Sequence, residues 1–194
     1  MIGSDIANRL KSVTGPKGWL ENPDTERFTQ DPRGRIAGKA HLVLRPASVD
    51  SVCAVLSLCN SARVGVIPFG GGTGSANGHL DPEGRHVVLS LERLSNIRHA
   101  SARDNAITVE AGVTLARVQQ AAQDMGRTFG LSLASEGSCT IGGNLSTNAG
   151  GIQTLRYGNA RDLCLGVEVV TPEGGVLNGL SPLRKDNTGY DLRH

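Results

Sequence analysis

The stretch from Val64 to Gly78 constrains the fold most, because a short apolar run meets Pro68 and then a dense group of glycines. Four of the five residues at positions 70–74 are glycine, and residues 65–80 include no Lys, Arg, Asp or Glu. Glycine leaves backbone N–H groups accessible, and successive N–H groups in a tight turn form a concave anion site. The pattern predicts a cradle for a phosphate group, and the alternative is a flexible loop between two strands.

A second glycine-rich segment covers residues 130–160. It carries no charged residue between Gly137 and Leu155, and the polar groups there are hydroxyls and amides. Thr140 is predicted to cap a short helix over residues 141–148, whose free N–H groups and positive dipole end would form a second anion site. The alternative is a solvated loop of small residues. A ligand-binding role is favoured, because two such segments occur in one chain.

The composition excludes several classes of protein. The 194 residues carry a net charge of +2 and 3% aromatic side chains, so neither a basic run nor a base-stacking platform for nucleic acid is expected. No apolar run approaches the roughly 20 residues that cross a bilayer. The N-terminus lacks the apolar core of a secretory signal, and we expect a cytoplasmic protein.

Four cysteines stand at positions 53, 59, 139 and 164, with no CxxC pair and no histidine at a zinc-finger offset. We expect reduced, mostly buried thiols, and the alternative is disulfides or a metal site. No metal-binding residues are predicted.

The N-terminal part is predicted to form a helix over residues 4–13, capped by Ser4 and ended by a Gly-Pro pair. Residues 15–40 show no periodicity and are rich in Gly, Pro, Asp and Arg. We expect an ordered but irregular arm that lies on the domain, and the alternative is a disordered tail.

A βαβ unit is predicted next. Its strands cover residues 41–45 and 64–68, and its helix runs from an N-cap at Ser48 to about residue 62. A strand–helix–strand order over so short a length makes the two strands parallel. The first glycine run then leaves the carboxyl end of a strand, where ligands of open α/β sheets bind. A third strand is expected at residues 87–91.

Short strands and one helix are predicted in the rest of the chain. The strands cover residues 97–100 and 107–111, and the helix runs from an N-cap at Thr114 to about Met125. A hairpin follows between residues 165 and 180, with its turn at Pro172–Gly175.

The glycine runs do not match the common nucleotide-binding motifs. A dinucleotide fingerprint requires glycine where this chain has Ser75 or Asn77, and there is no Gly-Lys-Ser/Thr P-loop. The G-x-S-x-G and H-E-x-x-H motifs are also missing from the sequence. The residues therefore support a phosphate-bearing cofactor and identify no catalytic acid, base or nucleophile.

Segments spread along most of the chain resemble one known family. They are VLRPASVDSVCAV, VIPFGGGTG, GSCTIGGNLSTNAGGIQTLRYGNARDLCLGVEVVTPEGGVL and LRKDNTGYDL, which together cover about residues 35–193. The combination resembles the FAD-binding domain of the vanillyl-alcohol oxidase (PCMH-type) superfamily. It is most similar to the branch of D-2-hydroxyacid dehydrogenases, which includes D-2-hydroxyglutarate dehydrogenase, D-lactate dehydrogenase and the FAD subunit of glycolate oxidase.

The resemblance implies an α+β fold in which FAD extends between two α/β lobes, one with a small parallel βαβ sheet and one with an antiparallel sheet. The implied organisation is an N-terminal helix and arm over residues 1–39, a first lobe over residues 40–100, and a second lobe over residues 101–194 that is incomplete at its carboxyl end.

The resemblance also implies the cofactor-binding residues. The members in the first glycine run, which would cradle the pyrophosphate, are Gly70, Gly71, Gly72, Thr73, Gly74 and Ser75. The members in the second run, which would line the flavin and its ribityl chain, are Gly137, Ser138, Thr140, Gly142, Gly143, Asn144, Asn148, Gly150, Gly151 and Gly158. Covalent relatives commonly carry a flavin-linked histidine in the first loop, where this chain has Thr73 and Gly74, so non-covalent FAD is expected.

In the family, the chain continues into a further strand, another FAD-contacting segment and a substrate-binding cap. The sequence stops at His194, so we expect the catalytic half and its contacts to a small 2-hydroxyacid to be missing. The first hypothesis is the FAD-binding portion of an oxidoreductase that converts a D-2-hydroxyacid, such as D-2-hydroxyglutarate or D-lactate, to the 2-oxoacid. The alternative is a non-catalytic fragment that binds FAD weakly or not at all and forms a homo-oligomer through an exposed sheet edge.

Overall fold

The computed structural model describes residues 2–193. They form two compact units, each with its own hydrophobic core. Unit 1 contains the residues up to Leu94 together with Val170–Val176. Unit 2 contains Ser95–Val169 together with the residues from Leu177 onward.

Unit 1 is built on a four-stranded mixed sheet. Its strands are β1 (Trp19–Leu20), β2 (Val43–Leu44), β3 (Val66–Phe69) and β4 (Val87–Ser90). Their spatial order is β1-β2-β4-β3, in which β1 pairs antiparallel with β2 and the other pairs are parallel. The prediction of parallel β2 and β3 is confirmed, but β4 lies between them. The short β1 was not predicted from the sequence.

Two helices, α1 (Ser4–Thr14) and α2 (Val49–Ser61), pack their apolar faces into the main core of unit 1. The start of α2 is as predicted, because Ser48 Oγ accepts a hydrogen bond from the backbone N–H three residues later at 3.2 Å. The prediction of Ser4 as the cap of α1 is wrong. Gly3 holds the N-cap position, and no side chain caps this helix.

The main core of unit 1 joins both helices to one face of the sheet. Its buried side chains are Leu10, Leu42, Leu44, Val52, Val55, Cys59, Val87, Leu89 and Leu94. Successive side chains of a strand alternate between its faces, so the apolar residues that β2 and β4 leave out of this core, Val43 and Val88, belong to the opposite face. Burial of apolar surface on both faces is the main force that holds the sheet.

The irregular arm over residues 15–40 covers that opposite face. Phe28, in a short 3-10 turn, packs there with Val43, Val88 and Phe69. The rings of Phe28 and Phe69 lie edge to face with their centroids 4.8 Å apart. Phe28 is fully buried, so this part of the arm packs into a core of unit 1.

Unit 2 contains an antiparallel pair of strands, β5 (Ile97–Ser101) and β6 (Ala106–Val109). Its helices are α3 (Leu115–Asp124), α4 (Ile141–Ser146) and α5 (Thr154–Tyr157). The buried core residues are Leu115, Leu131, Cys139 and Ala160. The lobe boundary predicted after residue 100 falls inside β5, a few residues after the division between the units. The sequence analysis did not predict α5.

The predicted hairpin near the end of the chain is confirmed, with strands β7 (Glu168–Val170) and β8 (Val176–Asn178). In its turn, the Thr171 N–H donates to the Gly175 carbonyl oxygen at 2.8 Å. Gly174 has a φ of +87°, a conformation that favours glycine.

The four cysteines are free thiols; Cys59 and Cys139 are buried, and Cys53 and Cys164 are half-buried. Among residues 2–193, no helix has the length and apolarity that crossing a bilayer demands. Within the same residues, no group of three or more His, Cys, Asp or Glu side chains is arranged to hold a metal ion.

Candidate functional site

The glycine loop, residues Gly70–Ser75, starts where β3 ends at Phe69. Gly72 has a φ of +66°, and a Cβ there would lie 2.8 Å from Phe69 Cζ, so both the turn and the packing require glycine. At Gly74, in contrast, nothing lies within 4 Å of the position that a Cβ would take, apart from its chain neighbours. The half-buried members of the loop are Gly70, Gly71, Gly72 and Thr73. The loop is therefore fixed at its start and open further along.

The other end of the glycine loop contacts the arm. Arg35 Nη2 donates to the Ser75 carbonyl oxygen at 3.0 Å. Two residues further on, Asn77 has a positive φ of 58°, and its side chain helps to hold the pKa of the buried Asp31 carboxylate below its usual range. Phe69 thus packs against the start of the glycine loop, and Arg35 binds its end. Neither contact was predicted from the sequence.

Two buried aspartates, Asp31 and Asp81, organise the chain before and after the glycine loop. The backbone N–H of Arg33 is the largest cause that holds the pKa of Asp31 well below its usual range. Burial would raise the pKa of Asp81, but hydrogen bonds from the ring and backbone of His86 outweigh burial and hold this pKa low as well. Both carboxylates are therefore charged at neutral pH and act as structural acceptors.

The signal that could have found these aspartates is a repeated motif, DPRGR at residues 31–35 and DPEGR at residues 81–85. In each copy the aspartate accepts hydrogen bonds from the backbone N–H groups two and four residues later, at 2.6–3.0 Å. Each copy also has its glycine at positive φ, +65° at Gly34 and +70° at Gly84. The same five-residue turn thus occurs twice in unit 1.

In unit 2, two predicted residues with unused hydrogen-bonding capacity lie on α4. Thr140 stands at the N-cap of this helix and Asn144 lies within it, with only 6% and 4% of these residues exposed. Thr140 Oγ1 and Asn144 Nδ2 are buried and have no hydrogen-bond partner among the described residues. A buried polar atom without a partner costs about 1–3 kcal/mol, so these atoms are suited to a ligand that supplies one.

The expectation of free N–H groups at the start of α4 is wrong for its first two residues. The Ile141 N–H donates to the Val113 carbonyl oxygen, and the Gly142 N–H donates to the Ala111 carbonyl oxygen, both at 2.9 Å. A Cβ at Gly142 would lie 2.8 Å from Ala111 Cβ. Gly142 therefore allows close approach of the helix to the chain after β6, and α4 ends at Ser146, earlier than predicted.

Three predicted flavin-lining glycines are required by packing within unit 2. A Cβ at Gly151 would lie 1.9 Å from the Ser132 carbonyl oxygen, and one at Gly150 would lie 2.3 Å from Asn159 Oδ1. Gly158 has a φ of +78° and ends α5. The fold alone therefore explains these glycines, whatever they contact in a complex.

Two further predicted residues already have partners. Asn148 Oδ1 accepts a hydrogen bond from the Arg161 N–H at 3.0 Å, and Ser138 Oγ donates to the Ser135 carbonyl oxygen at 3.3 Å. Gly137 is exposed, with nothing within 4 Å of a Cβ position. Within unit 2, Thr140 and Asn144 are therefore the predicted side chains best suited to a ligand.

Unit 2 contains a cavity of about 590 Å³, which the sequence analysis did not predict. Asn144 and Ile141 of α4 line it together with apolar residues of α3 and β6, such as Val118 and Ile107. Asn144 thus borders open space, which agrees with its unpartnered amide nitrogen.

Comparison with known proteins identifies the family. A sequence model of the family described as "FAD binding domain" matches residues 40–179. The chain therefore belongs to this family of FAD-binding domains, and its cofactor is FAD, as the sequence analysis predicted.

Curated relatives align along the whole chain. It is 41% identical over 194 residues to the D-2-hydroxyglutarate dehydrogenase of Xanthomonas citri pv. viticola. It is 40% identical over 195 aligned residues to a rice protein (Oryza sativa subsp. indica) named "Probable D-2-hydroxyglutarate dehydrogenase, mitochondrial". The chain spans 41% and 35% of the lengths of these relatives.

A solved structure of alkyldihydroxyacetonephosphate synthase resembles the whole chain with a TM-score of 0.80 at 23% identity. The chain covers 36% of that protein. This likeness concerns the fold, and it confirms the predicted α+β class of FAD-binding PCMH-type domains.

The residues of both segments fit FAD in their chemistry. The glycine loop offers backbone groups and an open position at Gly74, as a phosphate requires. The buried hydroxyl of Thr140 and the amide of Asn144 have free capacity for the polar atoms of a cofactor. Neither segment places a charged side chain among these groups.

Proposed function

We propose that the glycine loop holds the pyrophosphate of FAD, and that Thr140 and Asn144 hydrogen-bond the flavin side of the cofactor. The open position at Gly74 supports the first assignment, and the unpartnered buried atoms support the second. FAD is held non-covalently, since residues 70–78 contain no His, Cys or Tyr that could be linked to a flavin.

The observation that supports the proposed reaction is the 41% identity, over 194 residues, with a D-2-hydroxyglutarate dehydrogenase. We propose that the protein is the FAD-holding part of a flavoenzyme that oxidises a D-2-hydroxyacid to the 2-oxoacid. Bound FAD supplies the acceptor for the hydride that leaves the substrate. The chain's own residues bind and orient the cofactor with uncharged donors and fixed backbone dipoles, which need no reorganisation during the reaction. A cytoplasmic location is part of this proposal.

A second candidate function is FAD binding without oxidation by this chain. It is favoured by the chemistry of the two segments, because residues 70–78 and 140–151 hold only Gly, Ser, Thr, Asn and apolar side chains. None of these exchanges a proton near neutral pH, so the segments orient a cofactor and supply no acid or base. Formation of a homo-oligomer through a sheet edge remains a prediction of this candidate.

Titration of the purified chain with FAD, followed by flavin fluorescence and absorbance, tests both candidates. FAD binding followed by loss of the oxidised-flavin absorbance on addition of D-2-hydroxyglutarate supports the proposed reaction. Loss of this absorbance with D-lactate and not with D-2-hydroxyglutarate would indicate D-lactate as the substrate. Binding with no bleaching by either acid would show that this chain alone binds FAD without oxidising them, as the second candidate states. Failure to bind FAD would contradict both.

The variant Gly74→Val tests the assigned cradle. A Cβ there has no protein atom within 4 Å other than its chain neighbours, and a valine side chain would extend into the space proposed for the pyrophosphate. We expect at least about tenfold weaker FAD binding with little change in stability. Gly189→Val is the matched control, because Gly189 is equally open and lies outside both segments. Equal FAD affinity in the two variants would show that the loop is not the cradle.

A further inference from the structure

A hydrogen bond joins the DPRGR turn of the arm to the glycine loop, and among residues 2–193 none joins its second copy to that loop. Arg35 Nε donates to Asp31 Oδ2 at 3.0 Å, and Nη2 of the same guanidinium donates to the Ser75 carbonyl oxygen at 3.0 Å. In the second copy, the corresponding Arg85 pairs with the exposed carboxylate of Glu83 in its own turn. Arg35 therefore joins its turn to the glycine loop, whereas Arg85 pairs within its own turn.

Asp31 is the fixed point of this connection. Its side chain is fully buried and accepts hydrogen bonds from the backbone N–H groups of Arg33 and Arg35, each at 3.0 Å. The side chain of Asn77, just beyond the glycine loop, also helps to hold the pKa of this carboxylate low. The carboxylate thus holds Arg35 in place, and Arg35 binds the Ser75 carbonyl oxygen at the end of the loop.

We propose that Asp31 and Arg35 are positioning residues for the cofactor: they hold the end of the glycine loop in its conformation and thereby set the affinity for FAD. This inference rests on the proposed role of the glycine loop. It assigns a function to residues before the family match, which begins at residue 40.

The physical reason is the conformational freedom of the loop. Glycine loses more backbone entropy on ordering than any other residue, and the glycine loop contains four of them. Phe69 fixes its start within a core, but Ser75 is exposed and has no apolar contact of that kind. A loop that is already ordered before binding loses less entropy when FAD binds, so the affinity is higher.

The guanidinium group is essential to this arrangement because one side chain makes both contacts. Its planar fork presents Nε to Asp31 and Nη2 to Ser75 at the same time. Lysine carries the same charge but a single ammonium group, which cannot reproduce this geometry. Arg35→Lys therefore removes the connection and keeps the charge of the arm.

The test combines hydrogen–deuterium exchange of the ligand-free chain with FAD titration of the same proteins. The variants are Asp31→Asn and Arg35→Lys, and their matched controls from the second copy of the motif are Asp81→Asn and Arg85→Lys. We expect amide exchange in residues 70–77 to rise about tenfold in the first pair, and FAD to bind about tenfold more weakly. In the second pair, exchange should rise at most within residues 82–86, with FAD affinity unchanged.

The controls separate a positioning role from a general loss of stability. Asp81→Asn breaks the same kind of turn in the same unit, so it lowers stability without releasing the glycine loop. Equal loss of FAD affinity in Asp31→Asn and Asp81→Asn would overturn the proposal. Unchanged exchange of the loop in Arg35→Lys, which keeps Asp31 and its turn, would overturn it as well.

The two readouts also distinguish this inference from the proposed function. If the unaltered chain binds no FAD, the proposed function and the effect on affinity both fail, whereas faster loop exchange in Arg35→Lys still supports the positioning of the loop. If the unaltered chain binds FAD and the loop exchanges faster in the variants without loss of affinity, the inference fails and FAD binding stands.

Discussion

Gly72 lies so close to the ring of Phe69 that a Cβ on the glycine would be 2.8 Å from Cζ of the ring. Phe69 in turn packs in a core with Phe28 from the arm. The glycine at position 72 is therefore part of the packing beneath the loop. Gly74, two residues later, has no such neighbour. Packing and backbone conformation thus require glycine at position 72, whereas no neighbouring protein atom requires it at position 74.

The first prediction compares alanine at these two positions. Gly72→Ala places a Cβ against Phe69 and forces alanine to a φ of +66°, which should cost about 1–3 kcal/mol of the free energy of unfolding. Gly74→Ala should stay within about 0.5 kcal/mol of the unaltered chain. Urea unfolding of the ligand-free proteins measures both. Equal stabilities would show that the ring moves away at little cost.

The second prediction concerns neighbouring glycines of α4. A Cβ at Gly142 would lie 2.8 Å from Ala111 Cβ, so Gly142→Ala should destabilise unit 2 by about 1–3 kcal/mol. A Cβ at Gly143 meets only Thr140 Oγ1, at 3.4 Å. Gly143→Ala should therefore stabilise the helix by about 0.5–1 kcal/mol. Thermal unfolding that shifts in the same direction for both variants would contradict this assignment.

The third prediction is a pH dependence of stability. The pKa values of Asp31 and Asp81 are held below the value of about 3.9 expected in the unfolded chain. The unfolded state therefore binds protons first as the pH falls, so the contribution of both carboxylates is present above about pH 5 and is lost progressively below it. Unfolding free energies measured from pH 6 to pH 2 should fall, and Asp81→Asn should reduce this slope. If the unfolding free energy of Asp81→Asn depended on pH as steeply as that of the unaltered chain, the lowered pKa of Asp81 in the folded state would be contradicted.

The fourth prediction concerns thiol reactivity. Burial raises the pKa of Cys59 to about 11, and it also raises the pKa of Cys164. The thiolate is the reactive form, so the folded chain should leave Cys59 unlabelled by a thiol reagent at pH 8. Mass spectrometry after labelling should find Cys53, which is half-buried, modified first, and all four cysteines modified in urea. Rapid labelling of Cys59 in the folded chain would show that α2 opens readily.

The elements that the sequence predicted well are those in which local pattern and packing agree. The stripe of apolar residues in α2 and its Ser48 cap both lie within a single helix, so their period and spacing are visible in the sequence. The position of β4 between β2 and β3, in contrast, could not be predicted from a local pattern. It depends on which strands pair across long sequence separations, and no local pattern records that choice.

The candidate site was predictable to a similar extent. The lack of charge and the density of glycine distinguish both segments from the rest of the chain. Those features could not separate Gly74, which is open, from Gly151, where a Cβ would meet a carbonyl oxygen at 1.9 Å. They also missed Asp31 and Arg35, because the hydrogen bond between the arm and the glycine loop joins residues 40 positions apart.

The last prediction gives opposite signs for stability and binding. Thr140 Oγ1 is buried without a partner and makes no capping bond to α4, so Thr140→Val replaces an unsatisfied hydroxyl by a methyl group of similar shape. The ligand-free chain should gain up to about 1 kcal/mol in the free energy of unfolding. If the hydroxyl bonds FAD, the same variant should bind FAD about tenfold more weakly. The matched control is Thr114→Val, which changes an N-cap threonine of α3 that also makes no capping bond. Urea unfolding and flavin fluorescence titration measure the two effects, and a variant with higher stability and unchanged FAD affinity would remove Thr140 from the cofactor site.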